Sequence, residues 1–116
     1  MLIADDEPDM RALLSHVLRA KQIDVVEASN ADETLARWRE FRPDAILLDQ
    51  RMPPTSGLEL AEAMLADTPG QVIFLFTAFV DTELRSKAER LGITACLSKD
   101  QVLDIPELVR AHVRTR

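Results

Sequence analysis

Along the chain, short segments rich in apolar residues alternate with segments whose apolar residues recur every three or four positions. The former lie at residues 1–4, 23–27, 45–48, 71–76 and 93–97. Continuous apolar character, as at 45–48 and 72–76, suits strands covered on both faces, as in a parallel sheet, better than the alternation of a half-exposed strand. Between them the spacing predicts helices. Pro8 suits the first turn of one that carries Met10, Leu13, Leu14, Val17 and Leu18 inward and runs to about Lys21. Ser29 or Asn30 caps a second, with Ala31, Leu35, Trp38 and Phe41 on one face, and Pro43 ends it. A third follows Gly57 with Leu58, Leu60, Ala61, Met64 and Leu65, closed by Pro69 and Gly70. Residues 81–91 form a more polar fourth, with Leu84, Ala88 and Leu91 inward, Gly92 capping it, and a last helix starts near Ile105.

Five strand-helix units call for right-handed crossovers and helices on both faces of one sheet. The expected fold is therefore α/β: a doubly wound, five-stranded parallel sheet of flavodoxin-like order 2-1-3-4-5. With no repeat, linker or low-complexity stretch, the 116 residues form a single domain, 1–116.

Composition narrows the function. A formal charge of −6 argues against direct binding of nucleic acid, which draws on clustered Lys and Arg. Arg110, Arg114 and Arg116 make the chain's end basic, which suits the dipole of a terminal helix. The longest apolar run, 72–76, falls far below the roughly 18 residues of a membrane span. Asp5 and Asp6 stand where a signal peptide would be apolar, so a cytoplasmic location is expected. The one cysteine, Cys96, has no internal partner and, mid-strand, is expected to be a small buried apolar residue. His16 and His112 are expected on the surface. Neither Gly-rich phosphate loop is present, which removes nucleotide triphosphatases and dinucleotide enzymes.

The chemistry gathers at the strand exits. Asp5 and Asp6 follow the first strand, Asp49 ends the third, Thr77 the fourth, and Lys99 follows the fifth. In the order 2-1-3-4-5 these positions share one cleft at the switch point of the sheet. Three close carboxylates raise one another's pKa, and a hard divalent cation relieves that repulsion. Mg2+ fits, because it binds through one or two carboxylates and leaves room for a phosphate. Asp49 could then act as a nucleophile, with the Thr77 hydroxyl and the Lys99 ammonium on the phosphoryl oxygens.

The acidic pair Asp5-Asp6, the motif Asp49-x-x-Met52-Pro53-x-x-x-Gly57, the pair Thr77-Ala78 and Lys99 together resemble the receiver domains of two-component response regulators, the chemotaxis-regulator-like kind. The resemblance covers essentially the whole chain. It implies a phosphoacceptor in a phosphorelay, with Asp49 taking phosphate from a phosphohistidine of a sensor histidine kinase or phosphotransfer protein. It also implies Mg2+ on Asp6, Asp49 and the backbone carbonyl of Arg51, with Asp5 contacting it through water. Thr77 and Lys99 would bind the phosphoryl group, and Ala78 would leave it room. An output domain or protein would be met through helix 4, strand 5 and helix 5. Such a domain is not an enzyme beyond its own phosphotransfer and dephosphorylation.

Two positions depart from the family. Cys96 stands where a switch aromatic is usual; Phe76 and Phe79 flank Thr77 and could take over that coupling, although core packing is the expected use of Phe76. Asp100 replaces the proline after the lysine, and a non-proline cis bond costs roughly 2.5–4 kcal/mol, so a trans bond or a rearranged loop is expected. Arg51 and Phe79 are bulky at positions that would shield the phosphoryl group. Two rival readings remain: a receiver-like binding module acting without phosphorylation, and a phosphatase with an aspartyl phosphate. The second would want Asp-x-Asp, and Arg51 occupies the place of the second Asp.

Overall fold

The computed structural model describes residues 1–113. Arg114 and Arg116 lie outside them. Five parallel strands form the sheet: β1 (Leu2–Ala4), β2 (Val26–Ala28), β3 (Ala45–Asp49), β4 (Val72–Thr77) and β5 (Ala95–Ser98). Their order is β2-β1-β3-β4-β5, as expected. The helices are α1 (Pro8–Ala20), α2 (Ala31–Phe41), α3 (Gly57–Asp67), α4 (Thr82–Leu91) and α5 (Ile105–His112).

Alternate residues of each strand feed opposite faces. Leu2, Ala4, Ile46, Leu48, Ile73 and Leu75 pack with Trp38 of α2, Leu60 and Met64 of α3 and Ala88 of α4. Their neighbours Ile3, Leu47, Phe74, Phe76 and Leu97 pack with Leu14 and Leu18 of α1 and Ile105 and Val109 of α5. Residues 45–49 and 73–77 are buried without a break, which is why those strands read as runs.

The differences from expectation have local causes. β2 starts at Val26 because Gln22 turns left-handed (φ 63°) and Ile23 N donates to Leu18 O, so Ile23 seals the end of α1 instead of pairing. Gly92 (φ 91°) and Ile93 repeat the device at the end of α4, which delays β5 to Ala95. Leu13 and Phe41 are 46% and 52% exposed, not inward. At 100° per residue Leu13 points roughly 120° away from the Leu14–Leu18 stripe, and Phe41 has drifted about 80° from the line of Ala31. Residues 98–100 do not form an open loop. Lys99–Asp104 is a 3-10 segment kinked at Gln101, and Ser98 N donates to Gln101 Oε1 at 2.9 Å. The Lys99–Asp100 bond is trans; the cis bond among the described residues is Pro53–Pro54. Cys96 is half-buried rather than buried, because β5 is an edge strand. Both histidines are exposed, with His112 edge-on to Phe74 at 5.6 Å.

Candidate functional site

β1 and β3 are neighbours in register, Ala4 opposite Leu48, so the residues that follow them emerge side by side. Asp5 and Asp49 are consequently both buried, 1% and 2% exposed, at one rim of the sheet. Each carboxylate has one oxygen satisfied. Asp5 Oδ1 accepts from Glu7 N at 2.9 Å and Asp49 Oδ1 accepts from Arg51 N at 3.2 Å. The Oδ2 atoms of both have no hydrogen-bond donor. Lys99 Nζ stands at ion-pair distance without the alignment of a hydrogen bond, 3.3 Å from Asp49 Oδ2 and 3.7 Å from Asp5 Oδ2.

The loop after Asp49 is pinned from three sides. Gln50 N donates to Phe76 O at 2.8 Å, Gly57 N to Gln50 O at 3.0 Å and Leu58 N to Gln50 Oε1 at 3.0 Å. Between Gln50 and Gly57, Arg51–Met52 and Thr55–Ser56 form a small antiparallel hairpin. Gly57 is required sterically: a Cβ there would stand 2.5 Å from Asp49 O and 2.8 Å from Leu75 Cδ1.

Burial and charge set the titration. Burial raises the Asp49 carboxyl to about 6, with Arg51 N–H opposing, the Asp5 charge adding and Lys99 opposing again. Asp5 is raised as well, by burial first. Burial alone would lower Lys99, but Asp49 and Asp5 outweigh it and hold the ammonium above its ordinary value. Two like charges and low exposure thus make one proton or one cation welcome at this rim.

Of the residues expected at the site, the structure brings Asp5, Asp6, Asp49 and Lys99 together. Arg51, whose side chain is exposed, lines with Asp6, Glu7, Asp49 and Lys99 a cleft of about 200 Å³. Glu7, to which the sequence reading gave no role, belongs to the group. One oxygen each from Asp5, Asp6, Glu7 and Asp49 lies within 4.8 Å of the others. Such a cluster of hard oxygen donors, two of them buried and undonated, fits a divalent cation such as Mg2+. Thr77 is buried one step past the Asp49–Phe76 register, and its hydroxyl lies 3.4 Å from both the N–H and the carbonyl of Phe79. Ala78 is exposed beside it, and Phe79 is 75% exposed. Cys96 sits one register step inside Leu97, opposite Leu75, away from this cleft's lining.

Residues 1–111 match the family described as "Response regulator receiver domain". The chain belongs to that family. This receiver domain is 38% identical over 98 residues to a response regulator receiver protein of Anaeromyxobacter sp. (strain Fw109-5), covering 84% of this chain and 41% of that one. Among solved structures it is similar to the response regulator TrrA of Thermotoga maritima, in complex with Mg2+ and BeF (28% identity, TM-score 0.86, 97% and 96% of the two chains). It is also similar to the chemotaxis protein CheY4 of Vibrio cholerae (26% identity, TM-score 0.82, 93% and 95%). The receiver domain spans half or less of the first three curated relatives it matches, at 41%, 48% and 36% of their lengths. Among the described residues no helix is long and apolar enough to cross a membrane.

Proposed function

We propose that this receiver domain, 1–116, takes a phosphoryl group from a phosphohistidine of a sensor histidine kinase or phosphotransfer protein onto Asp49, and so changes the binding of an output domain or protein. The observation that carries the reading is the buried Asp49 Oδ2, which lacks a donor and faces Lys99 at 3.3 Å. A module that only binds partners would have no use for two such oxygens, which cost stability. An oxygen of Asp49 attacks phosphorus and the bond from phosphorus to the imidazole nitrogen breaks. The nitrogen leaves with the electron pair, and an acyl phosphate results. Lys99 stands ready to bind the phosphoryl oxygens.

Asp6, Asp49 and the Arg51 carbonyl would hold Mg2+, with Asp5 reaching it through water. When bound, the ion supplies positive charge against the crowded carboxylates and the incoming dianion. Thr77 would turn its hydroxyl to the phosphoryl group, beside which Ala78 leaves space. That turn would break the Thr77 contacts with Phe79, so the segment leading into α4 is released without help from a rotating ring at Cys96. The consequence would pass to the face made of α4, β5 and α5.

The test is incubation with acetyl phosphate and Mg2+, read as the mass gain of one phosphoryl group in the parent and in Asp49→Asn. Label on the parent alone is expected. No label on the parent, or label retained by the variant, would reject the assignment.

A further inference from the structure

Glu7 borders the acidic cluster but is not among the groups assigned above to hold Mg2+ or the phosphoryl group; its Oε1 lies 3.3 Å from Lys99 Nζ and accepts a hydrogen bond from it. The same ammonium is 3.3 Å from Asp49 Oδ2 without hydrogen-bond alignment. Lys99 thus stands equally near the two carboxylates and meets hydrogen-bond geometry with the exposed one. Its own side chain is only 16% exposed, so few water molecules compete for it, and Glu7 is its hydrogen-bond acceptor among the described residues. An ammonium has three donors, and a phosphoryl group on Asp49 needs one of them directed inward. A carboxylate that holds the ammonium outward opposes that change, and its negative charge opposes the dianion as well.

Resting on the phosphoacceptor reading above, we infer that Glu7 is a positioning residue that parks Lys99 in the unphosphorylated domain and must release it when a phosphoryl group arrives, so that it weakens the hold of the site on that group. The parking contact is modest by construction. Glu7 is 64% exposed, and a pair so open to water is worth little, which makes it a reversible latch.

Two substitutions separate the contact from the charge. Glu7→Asp keeps the charge but is one methylene too short to reach Lys99; Glu7→Gln keeps the length and removes the charge. Beryllofluoride binding at saturating Mg2+ is measured by calorimetry for both and for the parent. Lysine side-chain NMR follows the Lys99 ammonium without any phosphoryl mimic. Both variants are expected to bind beryllofluoride more tightly, Glu7→Asp by roughly twofold to fivefold and Glu7→Gln by at least as much. The slowly exchanging Lys99 ammonium signal of the parent is expected to be lost in Glu7→Asp. Tightening in Glu7→Gln alone would mean that only the field of Glu7 acts and would overturn parking, as would equal affinity in all three. A parent that binds no beryllofluoride with Mg2+ would overturn the phosphoacceptor reading itself, and parking with it.

Discussion

Gly57 leaves no room for a methyl group. A Cβ would press on the carbonyl of Asp49 and on Leu75, both held in the core, so the strand end carrying Asp49 would have to shift. Gly57→Ala is expected to destabilise by about 1–3 kcal/mol and to weaken beryllofluoride binding. Gly70→Ala, whose Cβ would meet nothing within 4 Å, should change little in the same thermal melts. Single residues were legible where burial and chemistry coincide. Asp49 stood out because it ends a run of buried residues, and Lys99 because it follows another. Glu7 did not, because an exposed acid beside two other acids carries no periodicity. Its role depends on where Lys99 comes to rest, which no local pattern encodes. Cys96 read as buried because its mid-strand position was weighed without the edge place that the order 2-1-3-4-5 gives its strand.

At the scale of elements, the exposed border of β2 is closed by side chains rather than by another strand. Arg19 donates to Val25 O at 3.4 Å and Arg37 to Glu27 O at 3.2 Å, while Arg11 and Arg19 pair with the Glu27 carboxylate at 3.3 and 3.9 Å. Unpaired carbonyls on a sheet edge invite a second chain. An Arg19→Ala, Arg37→Ala double variant is expected to self-associate at lower concentration than the parent in sedimentation velocity runs. At the start of α2, Asn30 Oδ1 accepts from Glu33 N at 2.8 Å, so Asn30→Ala should cost about 1 kcal/mol in denaturant unfolding. Element type was readable for the five strands of the sheet and the five α-helices, because caps, prolines and the three-to-four spacing agreed, but not for the 3-10 segment Lys99–Asp104 or the hairpin after Asp49. Nor were the ends of β2 and β5. Ile23 and Ile93 are as apolar as the strands that follow them, and only the left-handed turns at Gln22 and Gly92 assign them to helix ends.

The whole molecule sets a neutral core against a charged rim, and the rim is where stability is given up. With its folded pKa raised from 3.8 to about 6, Asp49 makes the native state bind more protons than the unfolded chain between those values. Stability therefore falls as pH rises through that window and stays lower above it. In metal-free buffer Asp49→Asn is expected to be more stable than the parent at pH 7, by about 1–3 kcal/mol, with the difference closing by pH 4. A variant no more stable at pH 7 would contradict the burial argument. At the other end of the sheet, the sole tryptophan, Trp38, is 3% exposed and donates Nε1–H to Gln71 Oε1 at 3.0 Å, before β4 begins. Six residue steps along the strand take the chain from Gln71 to Thr77, on the order of 20 Å. Intrinsic emission is therefore a clean optical gauge of unfolding, shifting red as the indole meets solvent, and blind to ions added at the far rim; a dye placed elsewhere would be needed to watch signalling by light.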